Sequence, residues 1–182
     1  MVGSLSTMAF DKSMKPVPFS ALHSEAVESY RCGCREADSL LSPASLASLR
    51  EAGLTAHVLF DYAEDFSRSG WPTCEDFAGV AGIRQAEFLG KMRGAWPAAP
   101  LPEKSLPPKT AEWAGIAWLP RITAKALCFL EGSLTPEIMY GCSGDRAFLK
   151  ERSLTLPGFL AVVRDAQGDQ KRILDHVRGV AR

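Results

Sequence analysis

The chain reads as all-α: a compact, bundle-like assembly of seven to nine helices in two helical subdomains joined by a proline-rich connector. Three observations carry this. Capping residues and glycine stops recur at helix-length intervals, from Ser42 to Asp169. Apolar residues between them repeat at three- and four-residue spacing. No segment alternates apolar and polar residues as a half-buried strand would.

Residues 1 to about 22 are rich in serine and methionine, with Pro16 and Pro18 and no visible period, and read as a loosely packed arm. A short helix is expected after His23, up to Tyr30, within an N-terminal region ending near residue 41. Cys32-Gly33-Cys34 reads either as a turn or as half of a zinc site, and no second cysteine pair completes the four ligands zinc needs. Neither a metal nor a cofactor is therefore expected.

The first helical subdomain spans 42–93. Ser42 caps a helix with Pro43 in its first turn, stopped at Gly53. Thr55 caps the next, with Val58, Leu59, Tyr62 and Phe66 as its apolar stripe and Gly70 as its stop. Its other face carries His57, Asp61, Glu64 and Asp65, read as a solvated acidic face or as partners for Arg84. Thr73 and Asp76 form an aspartate capping box that opens a helix to about Arg93. Arg84 falls inside that helix's apolar stripe, and an isolated buried charge costs several kcal/mol. We expect it to bond Asp61 or Asp65.

Residues 94–110 contain five prolines and make a stiff connector, with Trp96 anchored on a helix surface. The second helical domain spans 111–182. It begins with a short apolar helix or turn over 111–119, and Pro120 then starts or kinks a helix that ends at Gly132. Ser143 caps a helix to about Arg152, a Leu156–Ala166 helix follows, and Asp169 caps the last.

Bulk properties exclude several function classes. Twenty-one basic residues balance twenty-one acidic ones. Divided at Thr110, the halves carry eleven basic against thirteen acidic residues and ten against eight, so nucleic acid finds no basic surface. No apolar run reaches the eighteen residues a membrane span needs, and the N-terminus lacks a secretory pattern, so a cytoplasmic location is expected. Phosphate loops, dinucleotide fingerprints, Gly-x-Ser-x-Gly and His-Glu-x-x-His are all missing from the sequence.

The stretch Trp113–Arg146 concentrates the candidate chemistry. Gly141 and Gly144 bracket Cys142, letting backbone approach a ligand closely just before a helix N-terminus. Tyr140, Cys142 and Asp145 are candidate catalytic groups. Arg121, Lys125, Arg146 and Trp118 are candidate ligand-binding groups for a small anion. Arg121, Lys125 and Cys128, at i, i+4 and i+7, form one helix stripe, read as a pocket wall or an exposed edge. The bland reading keeps Cys142 as a small apolar filler in a tight turn. A second function class is an interaction module, or a homodimer, built on the tryptophans at 96, 113 and 118.

Residues from about 107 to 180 resemble a bacterial family known only as domain of unknown function 5069. The likeness rests on Gly115, Trp118-Leu119-Pro120-Arg121, Lys125-Ala126, Gly132, Tyr140-Gly141-Cys142, Asp145 and Phe159-Leu160. The family pattern has an acid before the lysine and an arginine two residues after it, where this chain has Ala124 and Leu127. Proline more often follows the family's cysteine, where Ser143 stands here. The resemblance implies a domain boundary and no activity.

Overall fold

The computed structural model describes residues 17–97 and 105–179. Among them are eight α-helices and one short hairpin: α1 (Phe19–Arg31), α2 (Pro43–Glu51), α3 (Ala56–Ser69), α4 (Cys74–Gly90), β1 (Glu112–Trp113), β2 (Ile116–Ala117), α5 (Leu119–Glu131), α6 (Ser143–Lys150), α7 (Leu156–Ala166) and α8 (Gln170–Val177). The all-helical class is therefore observed. Among the described residues no helix is long and apolar enough to cross a membrane.

Local chemistry sets most boundaries. The hydroxyls of Ser42, Thr55 and Thr155 each accept a first-turn amide at the start of α2, α3 and α7. At α4 the capping box is reciprocal: Thr73 Oγ1 accepts from Asp76 N, and Asp76 Oδ2 accepts from Thr73 N. The Trp71 indole donates to the same Oδ2 at 3.0 Å, tying the preceding turn to the cap. α4 stops at Gly90 rather than near Arg93.

α4 is the central helix. It packs against α1 on one side and against α5 and α7 on the other. Phe77, Val80, Ala81, Arg84 and Phe88 are its buried residues, and Gly79 brings it against Pro157 of α7, where a Cβ would meet the proline ring at 2.8 Å. One apolar core runs from Leu22 of α1 to Val177 of α8, so residues on both sides of the connector share it.

Several expectations are corrected. The loosely packed arm does not reach residue 22: α1 begins at Phe19, whose ring meets Phe77 edge-on, and Leu22 is buried in the core. Residues 1–16 lie outside the described residues. Of the two readings of 111–119, helix or turn, the helix does not form before Leu119: Ala114 and Gly115 both take positive φ, which makes the two-residue turn of an antiparallel hairpin.

Arg84 is buried as expected, at 1% exposure, but it does not bond Asp61 or Asp65. Its Nη1 donates to the Leu130 carbonyl at 2.9 Å, at the C-terminal end of α5, and approaches Met92 Sδ at 3.1 Å. The unpaired carbonyls and negative dipole of a helix C-terminus stand in for the missing carboxylate. Trp96 packs on Phe88 at 5.2 Å, an anchor on α4 as the sequence implied. Residues 98–104 of the connector lie outside the described residues.

Replacing Thr73 with alanine removes the hydroxyl half of the capping box. A loss of about 1 kcal/mol in urea unfolding is expected, with no change in the urea dependence.

Candidate functional site

The hairpin delivers Trp118 to the site. Trp118 N donates to Ala111 O at 3.2 Å, closing the strand pair, and Trp118 itself takes the left-handed conformation at φ 70° to start α5. This conformation is costly for a tryptophan. It sends the ring across the first turn of α6, where a Cβ on residue 144 would fall 2.4 Å from the indole Cζ2. Gly144 is thus required by the tryptophan, a reason the bracketed-cysteine reading did not supply.

Under the ring lies Asp145, fully buried. The Trp118 indole donates to its Oδ1 at 3.0 Å. Its Oδ2 accepts from the Gly141 amide at 3.0 Å and from Lys125 Nζ at 2.5 Å. Lys125, 3% exposed, also reaches Cys142 Sγ at 3.1 Å. One turn of α5 and the first turn of α6 are joined by this ammonium. Gly141, at φ 98°, makes the turn possible, and a side chain there would strike the Tyr62 hydroxyl at 2.8 Å.

The cleft above this network holds about 430 Å³. Lys109, Trp118, Arg121, Lys125, Glu137 and Cys142 line it together with Ser143 and Gly144. Arg121 also donates to the Pro107 carbonyl at 2.8 Å. Cys142, rather than Ser143, is the N-cap residue of α6, and no side chain caps the helix. The first-turn amides, which have no intrahelical acceptor, therefore open beside the cleft.

The structure thus brings Trp118, Arg121, Lys125 and Cys142 to one cleft, with Asp145 directly below. Two expected members are elsewhere. Tyr140 is buried in the core at 1% exposure; its hydroxyl donates to Leu156 O at 2.9 Å, and its carbonyl accepts from Tyr62. Burial raises the Tyr140 phenol well above its usual range, so it stays a neutral core donor. Arg146 is also buried: its Nη1 donates to Gly141 O at 2.8 Å and to Asp65 Oδ2 at 2.5 Å, and its guanidinium lies over the Trp71 ring. It braces the 141–142 turn from behind and does not line the cleft. Cys128 is buried too, and desolvation pushes its thiol up.

Sequence reasoning missed Lys109 and Glu137, both on irregular segments, where no period marks a facing side. It also missed the bond from Asp65 to Arg146, made across 81 positions of chain. The acidic face of α3 is not simply solvated. Asp65 holds Arg146, and Glu64 accepts from the Tyr30 hydroxyl at 2.9 Å. Asp61 is raised to about 7, first by burial and then by Asp65 and Glu64, with Lys125 opposing.

Two outcomes follow. Lys125→Met strands the buried Asp145 charge and is expected to cost about 3–5 kcal/mol in urea unfolding. Adding Asp145→Asn removes that charge while keeping an acceptor for one of the two donors, Trp118 or Gly141, and should restore part of the loss. For Asp61, the folded pKa lies above the unfolded one, so the native state holds the proton more tightly. Its contribution to stability is full below pH 4 and is lost as pH rises from about 4 to about 7. Asp61→Asn should remove that slope, leaving the variant more stable than the parent at pH 8 by about 1–3 kcal/mol.

No protein-family model, no curated protein and no solved structure matches this chain.

Proposed function

We propose that the protein binds a small anionic molecule in the α5–α6 cleft and presents the Cys142 thiol to it. The observation that carries this reading is the position of Lys125 Nζ. It lies 2.5 Å from the Asp145 carboxylate and 3.1 Å from Cys142 Sγ, on a buried stem at the cleft wall. Asp145 fixes the ammonium in place, so little side-chain entropy is left to lose when the cation meets a second partner.

An ammonium in contact with sulfur is placed to pair with negative charge on that atom. The uncapped amides of α6 and the cations Lys109 and Arg121 extend the favourable field across the rest of the cleft. Glu137 is the one acid among the described lining residues, and it gives the mouth a polar edge on which ligands differing in charge are discriminated.

The tryptophan-surface alternative has one supporting observation, the 42% exposure of Trp96. Against it, Trp113 is half-buried against the core, and Trp118 is committed to Asp145 and Gly144. The cleft is the better supported reading.

The test compares alkylation of Cys142 by anionic iodoacetate and neutral iodoacetamide, read by peptide mass mapping. Each rate is normalised to the same cysteine in the urea-unfolded chain. The folded protein should favour the anionic reagent by about tenfold over that reference, as expected for a nearby cation at partly screened distance. Arg121→Gln should reduce the preference. Equal relative rates in folded and unfolded chains would overturn the reading.

A further inference from the structure

A second cavity, of about 220 Å³, lies between α3 and the segment that follows α5. Val58 of α3 and Leu134 and Ile138 beyond α5 give it apolar walls. Trp96, 42% exposed and packed on Phe88, adds an aromatic surface. Asp61 is the one carboxyl among the described lining residues, and no lysine or arginine stands with it. Arg84 lines an adjoining recess of about 20 Å³ and not this cavity.

Asp61 is the acid of α3 that the fold leaves without a partner. Its neighbours are already engaged: Glu64 accepts from Tyr30 and pairs with Arg68, and Asp65 holds Arg146. Neither carboxyl oxygen of Asp61 has a hydrogen bond or salt bridge among the described residues, and neither is sealed from the surface. The cation acting on it is Lys125 of α5, whose ammonium is held by Asp145 and Cys142. His57, one turn earlier on α3, also lines the cavity, and the acid its charge acts on is Glu137. Burial, then Asp65 and Glu64, raise Asp61 to about 7. Such a carboxyl gains most from a positive group that reaches it and makes its charged form favourable.

The remaining features narrow the occupant. Among the described residues no group of three or more His, Cys, Asp or Glu side chains is placed to hold a metal ion, so the positive group is an organic one. Apolar walls suit a hydrocarbon body and oppose a strongly hydrated cation. A cavity of about 150 Å³ already accommodates benzene, so this one takes a single ring or a short branched chain carrying its ammonium. A tryptophan surface also favours groups next to a positive charge.

We infer that this cavity is a binding site for a small apolar monoamine, with its ammonium on Asp61 and its hydrocarbon body against Trp96 and Val58. It differs from the α5–α6 cleft in ligand charge and in the group that receives the charge, and Ile138 is the lining residue the two share.

Benzylammonium is the probe, with benzyl alcohol as its neutral counterpart, benzoate as its anionic one and methylammonium as a cation without the ring. Affinity for the full chain is measured by calorimetry at pH 8, and location by two-dimensional amide spectra. Benzylammonium should bind saturably, with shifts around Asp61, Trp96 and Leu134. It should bind at least about tenfold more tightly than benzyl alcohol, the margin a charge-assisted hydrogen bond supplies. Methylammonium should bind more weakly than benzylammonium, and benzoate should produce no such shifts. Asp61→Asn keeps the size of the side chain and should abolish the preference for the amine over the alcohol. Val58→Phe fills the cavity and should lose benzylammonium binding. Between pH 8 and pH 5 Asp61 takes up its proton, so the affinity should fall by at least about tenfold in the parent. The other charged groups around it are Glu64, Asp65, Lys125 and His57, so the same fall should persist in His57→Gln and vanish in Asp61→Asn. Absence of a saturable response, equal affinity for benzyl alcohol or methylammonium, or benzoate shifts at the same residues would each overturn the inference. An unchanged amine preference in Asp61→Asn, unchanged binding in Val58→Phe, or a flat pH profile in the parent would do so as well.

Discussion

The buried carboxylate of Asp145 is the constraint on which the second half of the fold turns. A carboxylate with no solvent exposure is tolerated only when both oxygens are hydrogen-bonded and its charge is paired. Here the Trp118 indole bonds Oδ1, and the Gly141 amide and the Lys125 ammonium bond Oδ2. Those three donors come from the end of the hairpin, the turn before α6 and the middle of α5. Satisfying one carboxylate therefore fixes how three consecutive elements meet. It also explains two costly features nearby, the left-handed Trp118 and the side-chain-free Gly144 against which its ring lies. The same network leaves Cys142 beside a fixed ammonium, so the candidate chemistry is a by-product of how the segment holds together.

A second polar system braces the first from the other half of the chain. Arg146 carries Asp65 of α3 and the Gly141 carbonyl on one guanidinium nitrogen, with Trp71 over its plane. Trp71 in turn donates to Asp76, the aspartate of the α4 capping box. Tyr62 reaches from α3 to the Tyr140 carbonyl, and Tyr140 onward to Leu156 at the start of α7. The 140–142 turn is thus held by α3, α6 and α7 together. A turn held from that many directions keeps its amides and its cysteine in one geometry, which is what a binding site requires. Arg84 is the contrasting case: one nitrogen is satisfied by a helix terminus, and the other is buried against Gly132 with no hydrogen-bond partner among the described residues.

Legibility followed the range of the interaction. The caps at Ser42, Thr55, Thr73 and Asp169 and the stop at Gly70 are set by residues within a few positions, and they stand where the sequence places them. The hairpin was missed because a two-residue strand pair has no room to show alternation. Its signal was the positive φ at Ala114, which an alanine does not advertise. Within the site, the stripe Arg121–Lys125 and the neighbouring Cys142 could be read from helical spacing and glycine placement. Tyr140 looked equally available, since sequence does not show that its hydroxyl ends on a backbone carbonyl 16 positions away.

The sequence by itself determined the helical class, most helix boundaries and the segment in which polar and glycine residues concentrate. These depend on hydrogen bonds within one turn and on apolar period, which are local. Tertiary structure alone decided which charges were partners. It gave Asp65 to Arg146 rather than to Arg84, and Asp145 to Lys125, because ion pairing in a buried site depends on which helices cross and not on spacing along the chain. It also divided the candidate residues between cleft and core, since burial is a property of packing.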